Sequence, residues 1–410
     1  MISREDCVAL DAADGLAFAR ARFSLPDGVI YLDGNSLGAL PRRTPARVAD
    51  TVTREWGEGL IRSWNSVEHG GAGWIDAPAK IGAKIARLIG AAADEVIVTD
   101  SVSVDIFKLA AAALALRPWR RVIVTEAGNF PTDVYVLQGL AQLTGIELRV
   151  VARDHIAAAL DDSVALLLLT QTHYRTGGVH DMASLTAAAH AAGALACWDL
   201  SHSAGAVVVE LNAANADMAV GCGYKFLNGG PGAPAFVYVA RAHHDGLRQP
   251  LTGWFGHAAP FAFEGDYRPA AGIGQMLSGT PGMLGMAALG AGVATFDGID
   301  MGVAAAKSRA LGDLMLDLVA QRCPEIGIAC PRDGRGAQVS LSHPNAYEIT
   351  QALIARSVIG DFRPPDVLRL GFPALYVRYA DVWDAVEYLS RVLANGEWRE
   401  ARFAVRRAVT

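Results

Sequence analysis

The stretch VGCGYKFLNGGPG, residues 220–232, lies between two short apolar runs. Those runs, Met218–Val220 and Ala235–Val239, have the length and composition of buried β-strands. Between them stands one charged side chain, Lys225, among five glycines. An ammonium group in such surroundings would be partly desolvated, which favours the neutral amine that attacks an aldehyde. The alternative is a surface turn that happens to contain a lysine.

The chain around this stretch alternates short apolar runs with alanine-rich helical segments. That pattern is typical of a mostly parallel sheet with helices on both faces, so we predict an α/β fold with a seven-stranded sheet. The predicted strands are Val96–Thr99, Arg121–Thr125, Glu147–Val151, Val164–Thr170, Ala194–Trp198, Met218–Val220 and Ala235–Val239. The predicted helices among them are Ser103–Leu116, Pro131–Thr144 and Ala183–Ala192.

The sequence pattern changes after about Pro281, where long helical segments replace the alternation of short strands and helices. We therefore predict three parts: an N-terminal arm and helix (1–55), a large domain (56–285) and a smaller α+β C-terminal domain (286–410). The helices predicted for the last part and its approach are Pro281–Phe296, Ala304–Gln321 and Asp381–Ala394.

Charge and cysteine usage exclude several classes of protein. The 410 residues carry a formal net charge of −6 and no basic run, so neither nucleic acid nor an anionic membrane surface is an expected partner. No apolar stretch reaches the ~18 residues of a spanning helix. Five cysteines without a C-x-x-C pair disfavour a disulfide framework or a zinc site, and we expect a cytoplasmic protein.

A second candidate site residue follows the predicted strand Ala194–Trp198. Asp199 comes directly after it, with Ser201 and His202 close behind. Ligands of open α/β sheets bind outside the carboxyl ends of strands. A carboxylate there can keep the pyridine nitrogen of pyridoxal phosphate (PLP) protonated, which makes the ring an electron sink. A helix N-cap and a structural histidine are the alternatives, but Asp199 and Lys225 together favour PLP.

The turn from Thr99 to Ser103 joins a predicted strand to a helix start, where free N–H groups bind phosphate. It lacks the glycines of nucleotide-binding loops, which argues against ATP and NAD; an N-cap serine explains it equally well. The chain has only five lysines against thirty-one arginines. The other four lie in helical stretches and are interpreted as solvated charges: Lys80, Lys84, Lys108 and Lys307.

With these residues in place, the sequence resembles bacterial kynureninases, fold-type I PLP-dependent enzymes related to class V aminotransferases, over essentially its whole length. The segments that carry the resemblance are YLDGNSLG (31–38), EWGEGLIRSWN (55–65), NFPTD (129–133), HYRTGGVHDM (173–182), WDLSHSAGAV (198–207), GYKFLNGGPG (223–232), GWFGH (253–257) and VLRLGFPALY (367–376). Cysteine desulfurases share the Asp, His and Lys but not this set of flanking segments.

The resemblance assigns roles around the cofactor's ring. It implies that Lys225 binds PLP covalently, that Asp199 pairs with the pyridine nitrogen and that His202 contacts the ring's polar edge. Phe130 would stack on the ring, where the alternative is a core aromatic, and Asp133 would lie nearby as a second carboxylate.

Other positions surround the phosphate and the substrate. Around the phosphate the resemblance places Val102, Ser103, Tyr224, Trp254 and Thr280. The last two would reach it from the partner subunit of a homodimer. Thr170 would contact the cofactor, Arg369 would bind the substrate's α-carboxylate, and Trp64 would frame its aryl group. An arginine on the solvent face of a strand is the alternative for Arg369.

The reaction implied is hydrolytic Cβ–Cγ cleavage of L-kynurenine, or of 3-hydroxykynurenine, to anthranilate or its 3-hydroxy derivative and L-alanine. Lys225 would remove the Cα proton and Tyr224 would act as an acid; no metal is expected. Two features depart from the family pattern: residues 67–72 lengthen the loop after Trp64, and Val102 with Ser103 stands where two hydroxyl residues are expected.

Two rival functions stay open at the level of sequence. A cysteine desulfurase or related lyase on the same fold needs a reactive thiol over the cofactor, and Cys330 is the one rough candidate. A non-catalytic PLP-binding protein could keep Lys225 without the substrate-binding and acid residues, yet Arg369 and Tyr224 are both present.

Overall fold

The protein, represented by a computed structural model, is described for residues 2–65 and 73–407; the predicted loop insertion at 67–72 lies outside them. Its centre is a seven-stranded sheet with the strand order β2-β8-β7-β6-β5-β3-β4. Only β8 runs antiparallel to its neighbours, which confirms the predicted mostly parallel sheet. The strands of the described chain are β1 (Ile30–Tyr31), β2 (Val96–Thr99), β3 (Val122–Glu126), β4 (Glu147–Val151), β5 (Val164–Thr170), β6 (Leu195–Asp199), β7 (Met218–Cys222), β8 (Ala235–Val239), β9 (Gly327–Ile328), β10 (Gln338–Ser342), β11 (Val358–Ile359), β12 (Asp361–Arg363) and β13 (Val367–Gly371).

Helices pack on this sheet and build most of the C-terminal part. Each predicted helix is present, with ends shifted by three residues or fewer; helix α5 begins at Pro131, whose missing N–H costs nothing in a first turn. It ends before Gly145, which takes the left-handed φ of 69°. The α-helices are α1 (Arg4–Ala12), α2 (Thr44–Asp50), α3 (Ala77–Ala86), α4 (Val102–Leu116), α5 (Pro131–Thr144), α6 (Met182–Ala191), α7 (Met283–Val293), α8 (Met301–Arg322), α9 (Ala346–Ala355) and α10 (Tyr379–Ala394).

The C-terminal part contains a four-stranded antiparallel sheet of order β12-β13-β10-β9. The N-terminal arm packs against this part through two contacts: β1 pairs with β11, and α1 lies against α10. The predicted boundary at 285/286 falls inside α7, and we retain the three-part division as a proposal. No helix of the described residues is long and apolar enough to span a bilayer.

Parallel strands bring chemically useful residues to one edge of the central sheet. Thr170, the last residue of β5, stands opposite Asp199, the last residue of β6. Strand β7 ends at Cys222 on the same side and leads within three residues to Lys225. The candidate site is therefore at the carboxyl edge of the sheet, as α/β topology predicts.

Candidate active site

A cavity of about 300 Å³ opens at this edge of the sheet. Residues from the starts of α4 and α5, from the ends of β5, β6 and β7, and from the turn after β7 form its walls. Nine of the predicted cofactor-binding residues line it: Val102, Ser103, Phe130, Asp133, Thr170, Asp199, His202, Tyr224 and Lys225.

Lys225 is the one lysine among the described residues that line this cavity. Its Nζ donates to His202 Nε2 at 3.1 Å and lies 5.8 Å from the ring centroid of Phe130. The N-terminal arm fixes the backbone here: Gly38 N donates to Tyr224 O, and a Cβ on Gly38 would come within 2.3 Å of Lys225 O. Only glycine allows that approach, which explains the last residue of the YLDGNSLG segment.

Asp199 is buried and oriented by a tight local turn. Its Oδ1 accepts from Ser201 N at 2.9 Å and from Ser201 Oγ at 2.6 Å. Burial raises the pKa of the carboxyl, although the bonds from Ser201 oppose that shift. No helix follows Asp199, so the helix N-cap alternative is wrong.

His202 is likewise buried, and its Nδ1 has no protein partner. Burial, and then the nearby Lys225 ammonium, lowers the pKa of His202 well below its usual range. The imidazole is therefore neutral near pH 7, and Nε2 accepts from Lys225 while Nδ1 is left to donate.

A second buried carboxyl, Asp133, adjoins the first through Thr170. The Thr170 hydroxyl lies 3.2 Å from Asp133 Oδ2, 3.4 Å from Asp199 Oδ2 and 2.5 Å from Asn129 Oδ1. One hydroxyl proton serves only one of three acceptors. Burial and the neighbouring Asp199 raise the pKa of Asp133 well above its usual range, which favours the protonated form of this carboxyl.

The start of α4 forms the opposite wall of the cavity. Ser101 is its N-cap residue but makes no side-chain capping bond, so the N-cap serine alternative is not realised. The first amide groups of α4 are thus without a side-chain acceptor beside Val102 and Ser103. This arrangement can bind an anion.

Two lysines interpreted as solvated charges are buried, so that interpretation was wrong for them. Lys108 is fully buried on α4 and Lys307 is buried on α8. Each donates to a carboxylate and to a backbone carbonyl, which is why burial is tolerated. Lys80 and Lys84 are exposed, as expected.

Arg369 lies on β13 at 1% exposure, so the solvent-face alternative is wrong. Its Nε donates to Asp361 Oδ1 at 2.8 Å, and Nη2 donates to Asp361 Oδ2 and to Ser36 Oγ. Nη1 donates to Tyr174 O. Four of the five N–H groups thus already have acceptors. The side chain is held in a fixed orientation within the protein but does not line the cavity.

Sequence reasoning missed the residues that orient Arg369. Asp361 stands directly opposite Arg369 in the β12–β13 pair, a cross-strand pairing that the hairpin spacing could have suggested. Ser36 lies in the YLDGNSLG turn and accepts from Arg369 Nη2. Tyr174 lines the cavity and packs edge-on against Phe130 with ring centroids 5.3 Å apart.

Besides Arg369, three predicted site residues are not brought to the cavity of their own chain. Trp64 packs against Trp74 and Phe255. Trp254 is 37% exposed and Thr280 is also exposed, and neither lines the cavity.

The cysteine expected of a desulfurase is poorly suited to that chemistry. Burial raises the pKa of Cys330, which disfavours the thiolate, and Cys330 does not line the cavity. Burial also raises the pKa of Tyr224, which therefore keeps its phenolic proton near pH 7.

Comparison with known proteins relates the chain to kynureninases. The model of the kynureninase C-terminal domain matches residues 304–389. A kynureninase from Pseudomonas fluorescens is 49% identical over the full length of both chains. Two solved structures share the fold: a cysteine desulfurase from Escherichia coli (TM-score 0.78, 20% identity, covering 93% of this chain and 99% of that one) and a C-DES mutant with glycine linked to its PLP cofactor (0.75, 16%, 90% and 98%).

Proposed function

The chain belongs to the kynureninase family of PLP-dependent hydrolases, and we propose that the cavity around Lys225 is its active site. The activity is hydrolytic cleavage of the Cβ–Cγ bond of L-kynurenine, which gives anthranilate and L-alanine. The observation that carries the placement is the position of the Lys225 amine, which faces His202 and the Asp133–Asp199 pair in one cavity.

The residues present fit PLP. Asp133 Oδ1 and His202 Nδ1 are buried polar atoms without a protein partner, as expected of groups that meet a polar aromatic ring. Asp199 would hold the pyridine nitrogen, Phe130 would cover a ring face, and the uncapped start of α4 would hold the phosphate. Thr170 would contact the ring beside the two carboxyls.

Bound PLP supplies an electron sink for negative charge at the substrate's Cα. Lys225 would be the residue that holds the cofactor's aldehyde, and its free amine would accept the proton from the substrate's Cα. The neutral His202 leaves that amine free of a competing positive charge. Tyr224 retains its proton and would donate it to the carbon left after cleavage.

We assign the substrate's α-carboxylate to Arg369. The guanidinium is fixed by Asp361 and by Tyr174 O, so little side-chain entropy is lost when a carboxylate binds. The hydroxyl of Ser36 also contacts Nη2 and is the acceptor that a carboxylate can most readily displace.

We further propose a homodimer in the cytoplasm. Trp254 and Thr280 are exposed on the chain that carries them, which suits residues that complete a partner's phosphate site. Trp64 packs on Phe255 in the same region and would frame the aryl group there. Large apolar side chains are exposed nearby: Leu251, Phe261, Phe263 and Tyr267. All five cysteines are free, which suits a reducing compartment. An active monomer in sedimentation at assay concentration would refute the dimer.

The placement of the site is tested by borohydride reduction of the holoprotein followed by peptide mapping. We expect the label on Lys225 alone, and Lys225→Ala should bind PLP more weakly and lose essentially all turnover. Lys307→Met is the matched control, since Lys307 is a buried lysine outside the cavity. A label on Lys80, Lys84, Lys108 or Lys307 would overturn the placement.

Product analysis separates this function from its rivals. Anthranilate and alanine in equal amounts from kynurenine support the proposal. Sulfide release from cysteine without kynurenine cleavage would indicate a desulfurase, and PLP binding without product in a single turnover would indicate a non-catalytic protein.

A further inference from the structure

A fully buried ammonium group lies beneath the turn that joins β2 to α4. Lys108, two turns along α4, donates to Asp100 Oδ2 and, at 2.7 Å, to Met276 O. Asp100 has the left-handed φ of 37°, which is strained for a non-glycine residue. The Thr99 hydroxyl also donates to Asp100 Oδ2, at 3.0 Å. The side chain of Asp100 is thus fixed by hydrogen bonds from Lys108 and Thr99.

The charge balance makes Asp100 the counter-ion of Lys108. The other carboxyl nearby is Asp105, which is fully buried and has no hydrogen-bond partner on either oxygen. Burial raises the pKa of Asp105 well above its usual range, and Lys108 forms its ion pair with Asp100 instead. The Asp100 carboxylate is therefore the ion-pair partner of Lys108.

The second acceptor belongs to a distant part of the chain. Met276 precedes Ser278, whose carbonyl accepts from Phe255 N at 3.1 Å and whose hydroxyl donates to Leu251 O at 2.6 Å. The segment 276–280 thus packs on the 251–256 loop that carries Trp254. Lys108 therefore connects two parts of the chain. One is the turn before α4, which faces the cavity of the same chain. The other is the segment 276–280, whose Thr280 is assigned to the cavity of the partner subunit.

We propose that Lys108 is a positioning residue for the cofactor's phosphate, which it orients through Asp100 and Met276 without touching it. This inference rests on the proposed function, in which the start of α4 holds the phosphate. It predicts a specific deficit: loss of Lys108 weakens binding of the phosphate but not of the pyridoxal ring.

The test compares two ligands that differ only in the phosphate. Full-length protein is freed of PLP and titrated with PLP and with pyridoxal, and binding is followed by visible absorbance rather than by turnover. For Lys108→Met we expect the Kd of PLP to rise about tenfold, equivalent to about 1.4 kcal/mol, while the Kd of pyridoxal changes less than about twofold. Methionine retains the length and apolar stem of lysine, and Asp100, with a side chain 30% exposed, can turn to solvent.

Lys307→Met is the matched control. Lys307 is also a buried lysine on a helix, and its Nζ lies 2.6 Å from both Asp14 Oδ2 and Ala374 O. Its loss should destabilise the fold in the same way without changing the ratio of the two dissociation constants. Asp100→Asn is the second variant, which keeps the size of the side chain and should reduce phosphate discrimination even if Lys108→Met does not fold.

The outcomes distinguish the inference from the function on which it rests. If Lys108→Met and Asp100→Asn bind PLP as selectively as the wild type, or if both ligands weaken equally, the inference is overturned. If the wild type itself binds PLP no better than pyridoxal, the phosphate placement fails first and the inference fails with it.

Discussion

Two buried aspartates at opposite ends of the central sheet differ in their hydrogen-bond donors: Asp199 has Ser201 and the shared hydroxyl of Thr170, whereas Asp217 has two histidine rings and a backbone amide. Asp199 ends β6 at 3% exposure and Asp217 precedes β7 at 6% exposure. Asp217 accepts from Ala196 N at 2.8 Å and from His190 and His243 at 2.7 Å each. Burial would raise the pKa of Asp217, but the hydrogen bonds, from His243 first, outweigh burial and lower it.

At the other end the pKa of Asp199 is raised, and nearby polar atoms of Asp133 and His202 lack protein partners. Burial therefore outweighs the hydrogen bonds at Asp199, whereas the hydrogen bonds outweigh burial at Asp217. The amino end of the sheet is complete within the protein, whereas the carboxyl end has the unsatisfied groups expected of a ligand site.

The largest effect should come from removing the charge at the carboxyl end. Asp199→Asn keeps the shape but cannot hold the pyridine nitrogen protonated, so kcat/KM for kynurenine should fall about 100-fold or more, which is about 2.7 kcal/mol of barrier. Steady-state kinetics with PLP content measured in parallel test this. Near wild-type turnover would mean that the ring lies elsewhere.

The next largest effect should come from Arg369→Lys. An ammonium group cannot donate to Asp361 and to a substrate carboxylate in the planar arrangement of a guanidinium. Losing such charge-assisted bonds costs about 1.5–3 kcal/mol, roughly a 10- to 100-fold loss in kcat/KM. PLP content should not change, because Arg369 does not line the cavity.

Arg335→Lys is the control for Arg369→Lys. Arg335 is also buried, at 4% exposure, and pairs with Asp313. That variant should retain kcat/KM. An unchanged kcat/KM in Arg369→Lys would assign the carboxylate to another residue, and loss of PLP would make Arg369 structural.

The sequence predicted the parts of the site that depend on local pattern. Strand ends followed by a lone Asp or a lone Lys can be read from apolar runs, and Asp199 and Lys225 do line one cavity. It did not predict partners that come together only in the fold. Lys108 looked like a solvated helical charge because one of its acceptors, Met276 O, lies 168 residues away. For the same reason Asp361 and Ser36 were missed as neighbours of Arg369.

A smaller effect is expected from Asp133→Asn. The raised pKa of Asp133 favours its neutral form, and an amide is a neutral group of similar size. Of the two carboxyls, Asp199 is the one stabilised as an anion by Ser201. We therefore expect less than about a tenfold change in kcat/KM, about 1.4 kcal/mol or less. A loss as large as that of Asp199→Asn would show that both carboxyls are ionised.

The smallest effect on catalysis, with the clearest effect on stability, is expected from Asp217→Asn. Turnover per bound PLP should be unchanged, since Asp217 lies at the opposite end of the sheet from the cavity. An asparagine oxygen cannot replace a carboxylate that accepts three bonds, so the holoprotein should lose about 2 kcal/mol of unfolding free energy. Asp199→Asn, in contrast, removes a buried charge and should not lower the stability of the PLP-free protein.

The stability that Asp217 contributes depends on pH. The pKa of Asp217 in the folded protein is below its ordinary value of 3.8, so its contribution to stability is fully present above that value and is lost as the pH falls through the lower, folded pKa. Denaturant melts of wild type and Asp217→Asn should thus differ at pH 5 and converge in strong acid. A difference that persists unchanged in strong acid would mean that the variant fails through packing. In that case the hydrogen bonds of Asp217 would not be the reason that the two ends of the sheet behave differently.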